Sequence, residues 1–187
     1  MIGICVVAGT FEEGDVLLVV DVFADFDHDD AEPLLASFQA RGAAMARAIT
    51  AAREAGVPVI YVNDDRDRWD SNAPALAREA ANGPGGEIIS QLLPRQGDRV
   101  LLKHRYSAFD HTALDLLLEA ESAERMVIVG TATEGCVVQT ALDAREHGLK
   151  ATILADVCAT TDRELESTAL RYAEEVGGIH VQRVAGR

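Results

Sequence analysis

A chain of 187 residues with 48% hydrophobic side chains can bury one substantial core, which excludes a disordered protein. Its formal charge of −14 excludes an electrostatic footprint for nucleic acid or for an anionic membrane surface. The cysteines Cys5, Cys136 and Cys158 are odd in number and widely spaced, which fits a reducing cytoplasm rather than a disulfide framework.

The opening Met1-Ile-Gly-Ile-Cys-Val-Val-Ala-Gly9 is apolar but too short to span a bilayer, and it lacks the basic start of a secretory signal. Residues 1–14 read as an N-terminal extension to a single domain covering 1–187. The expected location is cytoplasmic, with no membrane partner.

Val16-Leu-Leu-Val-Val-Asp21 is a continuous apolar run ended by an acid, the pattern of a strand covered on both faces. Phe23 to Pro33 reads as acidic and irregular. A helical pattern runs from about Ser37 to Ala55, and Gly56 with Pro58 stops it. Val57 to Val62 is the second strand. Asn63 to Gly86 is long and polar, and a connection of that length covers a site or carries small elements of its own. Ala75 to Ala81 and Ile88 to Leu93 read as short helices within or after it. Asp98 to Lys103 is the third strand, and His104 to Asp110 a loop. Thr112-Ala-Leu-Asp115 fits a capping box opening a helix through Glu119.

Arg125 to Gly130 is the fourth strand. The chain then turns through Thr131-Ala-Thr-Glu-Gly135 into a helix-period pattern that Gly148 ends after His147. Leu149 to Ala155 is the fifth strand. Thr161-Asp-Arg-Glu164 is a second capping box, leading a helix to Val176, and Ile179 to Val181 is a short last strand. The repeated β-α alternation predicts a parallel sheet with helices on both faces.

Three reactive residues fall at strand ends, where open α/β sheets bind ligands. Asp21 closes the first strand and Lys103 the third, and Cys136 follows the fourth. Cys136 falls in the first turn of a helix, where free N–H groups and the dipole lower a thiol's pKa. Lys103 and Lys150 are the only lysines, so an ammonium is expected to matter at Lys103. Each residue also has a plain structural reading: a packing cysteine, a loop acid, a surface charge. Together they suit nucleophilic catalysis: a thiolate attacks a carbonyl, a carboxylate moves the proton, and an ammonium steadies the charges.

At these residues the chain resembles the isochorismatase-like cysteine hydrolases, the group that includes nicotinamidases and N-carbamoyl amidases. The resemblance runs over roughly Asp15 to Val181. It rests on Val-Val-Asp21 with Asp25-Phe26, on Lys103 before Arg105-Tyr-Ser-Ala-Phe109, and on Gly130-Thr-Ala-Thr-Glu-Gly-Cys136-Val with Thr140-Ala-Leu-Asp-Ala144. It implies a three-layer α/β/α fold with a six-stranded parallel sheet in the order 3-2-1-4-5-6. It implies an Asp21–Lys103–Cys136 triad, a thioester intermediate and a cis peptide between Thr131 and Ala132. That bond would set the Ala132 and Cys136 N–H groups as an oxyanion hole. It also implies a homo-oligomer acting on a small-molecule substrate.

The chain departs from the family in two places. Nicotinamidases carry an Asp-x-His pair and a further His that hold a metal, but the comparable Asn63-Asp64-Asp65-Arg66-Asp67 has no histidine. It reads as a solvated acidic loop, and no metal or other cofactor is expected. His28 with Asp29 and Asp30 is too compact a run to converge on one ion, and His104, His111, His147 and His180 read as loop, cap or surface residues. Phe23-Ala24 replaces the usual Gln-Asn and alters the pocket wall. Phe26, Trp69, Tyr106 and Phe109 are the candidate apolar lining of a substrate pocket.

The leading expectation is a hydrolase of small amides or carbamoyl compounds. A vinyl-ether hydrolase of isochorismate-like substrates, which needs the acid but not the cysteine, is the first alternative. A small-molecule binding or thiol redox protein on the same fold is the second, although no Gly-x-Gly-x-x-Gly, phosphate-loop or Cys-x-x-Cys motif is present.

Overall fold

The computed structural model describes residues 10–66, 68 and 72–184. Trp69, Asp67 and residues 1–9 of the expected extension lie outside the described residues. Six strands, β1 (Asp15–Val20), β2 (Val59–Asp64), β3 (Arg99–Lys103), β4 (Arg125–Gly130), β5 (Lys150–Leu154) and β6 (His180–Gln182), form one parallel sheet. Their order is β3-β2-β1-β4-β5-β6, as the resemblance implies. Every residue of β1 is buried, as is β4 from Met126 to Gly130, so the central strands are covered on both faces. That is why they are written as unbroken apolar runs.

Among the described residues six α-helices surround the sheet: α1 (Ala31–Glu54), α2 (Ala73–Ala81), α3 (Gly86–Leu92), α4 (Leu114–Ala120), α5 (Val138–Glu146) and α6 (Arg163–Glu175). None among the described residues is long and apolar enough to cross a membrane. The longest, α1, buries Leu34, Phe38, Met45, Ile49 and Ala52 at helical spacing. Full burial of Phe38 alone contributes about 1.5–3 kcal/mol. Gly42 lets α1 approach α3, since a Cβ there would lie 2.1 Å from Ile88 Cγ2.

Several boundaries differ from the sequence expectation. Helix α1 begins at Ala31 rather than Ser37. Pro33, read as part of an irregular segment, sits in the first turn, where its missing N–H leaves no helical bond unmade. Neither expected capping box forms. Helix α4 has no side-chain cap; Thr112 Oγ1 instead accepts from Leu114 N at 3.1 Å and donates to Ala108 O at 2.6 Å. Helix α6 is capped one residue later than expected, by Asp162, which accepts from Glu164 N and Leu165 N at 2.8 Å each. Residues 10–14 are tied to the domain, because Arg125 grips Asp15 with two bonds of 2.7 and 2.6 Å and donates to Thr10 O at 3.2 Å.

Strand register positions the site. Parallel pairing sets Val20 beside both Gly130 and Val62, and Asp64 beside Lys103. The carboxyl ends of β1, β2, β3 and β4 therefore share one edge of the sheet, and the order reverses between β1 and β4, where a crevice opens. Gly130 makes that closeness possible. Its φ is +140°, and a Cβ would lie 2.0 Å from Val20 O. Gly130→Ala is expected to cost about 3 kcal/mol or more. Gly148→Ala, at φ +80° with nothing within 4 Å, is expected to cost only about 1–2 kcal/mol. Urea unfolding of both variants checks this, and equal losses would refute the close approach of β4 to β1.

Candidate active site

Asp21 is the first residue past β1 and takes a left-handed conformation, φ 51°. Its backbone N–H still donates to Val62 O at 3.0 Å, so the turn begins from a strand held in place. The carboxylate faces β2 and β3. Oδ1 accepts from Asp64 N at 2.6 Å, and Oδ2 lies 2.8 Å from Lys103 Nζ. Lys103, the last residue of β3, is 1% exposed. Its ammonium donates to Arg105 O at 2.8 Å, lies 3.4 Å from Cys136 Sγ and stands 3.8 Å from Asp64 Oδ2.

Cys136 arrives from the other side of the crevice. After Gly130 the Thr131–Ala132 peptide is cis. Thr131 is fixed to β1 through its N–H to Val20 O at 3.0 Å and its hydroxyl to Asp21 O at 3.2 Å. Thr133–Val137 forms one wide turn, closed by Val137 N to Ala132 O at 3.3 Å, with Gly135 at the non-helical φ −112°, ψ −109°. Regular helix starts only at Val138. The thiol thus precedes α5 instead of sitting in its first regular turn.

That placement changes the thiol's electrostatics. Burial, and then the Asp21 carboxylate, push Cys136 up to about 12, and the lowering influence of Lys103 does not offset them. The thiol therefore stands above its ordinary value, where the sequence reading expected it lowered. Burial also raises the Asp21 carboxyl above its ordinary value against the pull of Lys103, which makes it a better proton acceptor. Burial draws Lys103 down, but Asp21 and Cys136 outweigh it, and the ammonium is held above its ordinary value.

Asp21 and Cys136 line a cleft of about 560 Å³. Of the four aromatics expected to line it, Tyr106 stands at the rim, 70% exposed. Phe26 is buried in the core, its ring 5.6 Å from that of Phe38. Phe109 stacks on His147 at 4.3 Å beside a separate depression of about 390 Å³. Trp69 is outside the described residues. Phe23 lines the cleft, its ring stacked on Tyr61 at 5.8 Å.

The end of β2 contributes more than the sequence suggested. Asn63 and Asp65 are each 3% exposed, so these two side chains are not solvated as expected. Asn63 Oδ1 accepts from Phe23 N at 2.8 Å, and Asp65 pairs with His104 Nδ1 at 2.8 Å. His104, expected to be incidental, lines the cleft. Arg66 reaches across to Asp25 at 2.8 Å and Phe23 O at 2.9 Å. The available signal was adjacency: β2 is the direct neighbour of β1, so its last residues must meet Asp21. These groups are engaged with one another, and among the described residues no three His, Cys, Asp or Glu side chains gather to hold a metal. The nicotinamidase-type metal centre does not fit this donor set.

The isochorismatase domain model matches residues 15–184, and the chain belongs to that family. It is 31% identical over 160 residues to the uncharacterized isochorismatase family protein YaaI of Bacillus subtilis, covering 86% of this chain and 88% of that one. It is 28% identical over 155 residues to maleamate amidohydrolase of Pseudomonas putida, covering 78% and 72%. N-carbamoylsarcosine amidase from Thermoplasma acidophilum shares the fold at a TM-score of 0.68 and 28% identity, covering 92% of this chain and 98% of that one.

The electrostatics make a signed prediction. Asp21→Asn removes a charge that raises the thiol, so Cys136 should ionise at lower pH than in the wild type. Lys103→Met removes a charge that lowers it, so ionisation should move higher. Thiolate absorbance near 240 nm, taken as the difference from Cys136→Ala in each background, reads both shifts. Shifts in the same direction would contradict the assigned neighbours.

Proposed function

We propose that this isochorismatase-family hydrolase is an amidohydrolase that cleaves a small amide or carbamoyl C–N bond through a thioester on Cys136. The observation that carries the reading is the meeting of Asp21, Lys103 and Cys136 at one cleft beside the Thr131–Ala132 turn. The amidase activities named for the maleamate and N-carbamoylsarcosine relatives support it.

In this mechanism the Cys136 thiol gives its proton to Asp21 as sulfur attacks the substrate carbonyl carbon. A thiol near 12 is a poor nucleophile alone, so proton removal accompanies attack, and the raised Asp21 carboxyl is suited to receive it. Lys103 keeps its charge throughout and steadies whichever partner is anionic. The carbonyl oxygen becomes an oxyanion facing the Ala132 and Cys136 N–H groups. Neighbouring N–H groups are already used: Thr131 on Val20 O, Thr133 on Ala159 O, Gly135 and Val137 on Ala132 O. Asp21 then protonates the leaving nitrogen as the C–N bond breaks, releasing ammonia or an amine and leaving the thioester. Asp21 next takes a proton from water, which attacks the thioester carbonyl; the C–S bond breaks, the acid leaves and Cys136 recovers its proton.

The substrate class in this reading is an amide that carries a carboxylate. Of the two arginines that line the cleft, Arg66 is held by Asp25. Arg105 is exposed at the cleft and is left to meet an anion. Maleamate and N-carbamoylsarcosine, named for the relatives, both carry one.

Ammonia release from a panel of ω-amic acids, N-carbamoyl amino acids and uncharged amides tests this. Cys136→Ala should lose about 1,000-fold or more, and acid-quenched wild type should carry an acyl mass on the Cys136 peptide. Arg105→Met should raise KM for carboxylate-bearing substrates about tenfold or more, and leave uncharged amides within about twofold. Full activity in Cys136→Ala would end the thioester reading. If activity on a vinyl ether then also required Asp21, isochorismate-like hydrolysis would replace it.

A further inference from the structure

The turn carrying Cys136 is closed by Gly135 N and Val137 N, which both donate to Ala132 O at 3.1 and 3.3 Å. It is one wide turn broken at Gly135, not regular helix. Its first two residues, Thr133 and Glu134, are also tied to α6 and to the segment after β5 by two carboxylate networks.

The deeper network centres on Glu166 of α6, which is 8% exposed. Thr133 N donates to Ala159 O at 2.8 Å. Thr133 Oγ1 lies 3.0 Å from Ala159 O and 3.1 Å from Glu166 Oε1, so its proton is shared between two acceptors. Glu166 is gripped by Arg41 of α1 in a two-bond fork, with Nη2 to Oε2 at 2.9 Å. Arg41 Nη1 also donates to Cys158 O, in the segment after β5. In the second network Glu134 accepts from Thr161 N at 2.8 Å, from Thr160 Oγ1 at 2.7 Å and from the Thr161 hydroxyl.

Stability alone does not account for Glu166. It occupies the inward face of α6 with Leu170 and Ala173, where an apolar residue would satisfy the helix pattern. Taking a carboxylate and a guanidinium out of water carries a desolvation cost that a hydrophobic pair of similar size avoids. A planar two-bond fork supplies what that pair cannot: a fixed direction and distance. Here the fork ends on the residue that follows Ala132.

We infer that Glu166, oriented by Arg41, is a positioning residue that acts through Thr133 to aim the Ala132 and Cys136 N–H groups at the reacting oxygen. The inference rests on the thioester reading above and adds to it the part of the molecule that sets the oxyanion hole. Its signature is selective. Steps that build an oxyanion depend on the network, and steps that use only the sulfur do not.

Two probes separate these steps without a known substrate. Methyl methanethiosulfonate transfers a methylthio group to Cys136: an S–S bond forms, methanesulfinate leaves, and no carbonyl oxygen is involved. Propionaldehyde adds to Cys136 as a hemithioacetal: the S–C bond forms, the carbonyl π bond opens, and the oxygen takes the thiol proton in the oxyanion position. In Glu166→Gln and in the isosteric Thr133→Val, methylthiolation of Cys136 should stay within about twofold of wild type. Propionaldehyde affinity should fall about tenfold or more in both, since small misplacements of catalytic groups cost factors of this order and larger. Thr133→Val decides the matter if Glu166→Gln does not fold. Unchanged aldehyde affinity in a folded variant overturns the inference and leaves the network a brace between α1 and α6. A parallel loss with both probes overturns it too, since the sulfur itself is then disturbed. Wild-type Cys136 inert to both reagents brings down the thioester reading, and this inference with it, a result distinct from the other two.

Discussion

A lysine ammonium with its side chain out of water is the constraint around which this molecule is built. Lys103 has 0% side-chain exposure, and removing an ion of that size from water costs several kcal/mol unless partners replace its hydration. Three partners come from three chain segments: the Asp21 carboxylate after β1, the Arg105 carbonyl in the loop after β3, and the Cys136 sulfur before α5. Asp64 at the end of β2 adds a more distant carboxylate. No local segment can supply such a set. It exists only if β1, β2, β3 and β4 end at one edge in the observed register, so the charge and the sheet order imply one another. The same burial that strains Lys103 raises both the thiol and the Asp21 carboxyl. One desolvated pocket thus holds the ammonium charged while it pushes both the thiol and the carboxyl toward their protonated forms.

The fold was largely legible because its signals are local and repeated. Strands buried on both faces must be continuous apolar runs, and β1 and β4 are. Strand order is a different matter. Alternation of β and α specifies a parallel sheet, but nothing in the periodicity says that β1 lies between β2 and β4; that came from motif resemblance. Helix boundaries were least legible where two physical readings of one residue compete. Pro33 ends a helix when interior and is neutral in a first turn, and only its distance from Ala31 decides. The failed capping boxes have a similar origin. Thr112 and Thr161 are hydroxyls that bond wherever a partner stands closest: Thr112 donates to Ala108 O and accepts from Leu114 N, and Thr161 donates to Glu134.

The site was legible at strand ends and illegible across the cleft. Asp21, Lys103 and Cys136 could be singled out because each terminates or follows an apolar run. Glu166, Arg41 and Asp65 could not, because an acid on a helix or in a polar stretch is normally solvated, and only the folded arrangement shows the partners that keep these buried. Aromatic lining was the weakest reading for the same reason. Phe26 and Phe109 lie close in sequence to the triad, yet each finds a ring to pack on, Phe38 and His147, away from the cleft. Phe23, viewed only as a departure from the family's pattern, faces the cleft because Tyr61 stacks against its other side.

Of the five non-glycine residues with left-handed φ among the described residues, Asp21, Phe26 and Arg66 belong to the loops after β1 and β2, while His111 and Ser122 lie elsewhere. Asp21, Phe26 and Arg66 all adopt left-handed φ values of 51–59° without being glycine. Each such residue costs about 1–3 kcal/mol and persists only where the surroundings enforce it. At Asp21 the enforcement is visible. The N–H is held by Val62 O, the carboxylate by Asp64 N and Lys103, and the carbonyl by the Thr131 hydroxyl. The left-handed turn directs the chain away from the sheet while the side chain stays against β2 and β3. At Arg66 the bonds to Asp25 and Phe23 O tie the loop after β2 to the loop after β1. Strain is therefore spent at the two loops that must turn sharply to keep charged groups facing inward, while the sheet beneath them stays regular. Rigidity of the sheet is what permits this, because an edge whose strand ends shifted independently would relax the turns and let water reach Lys103.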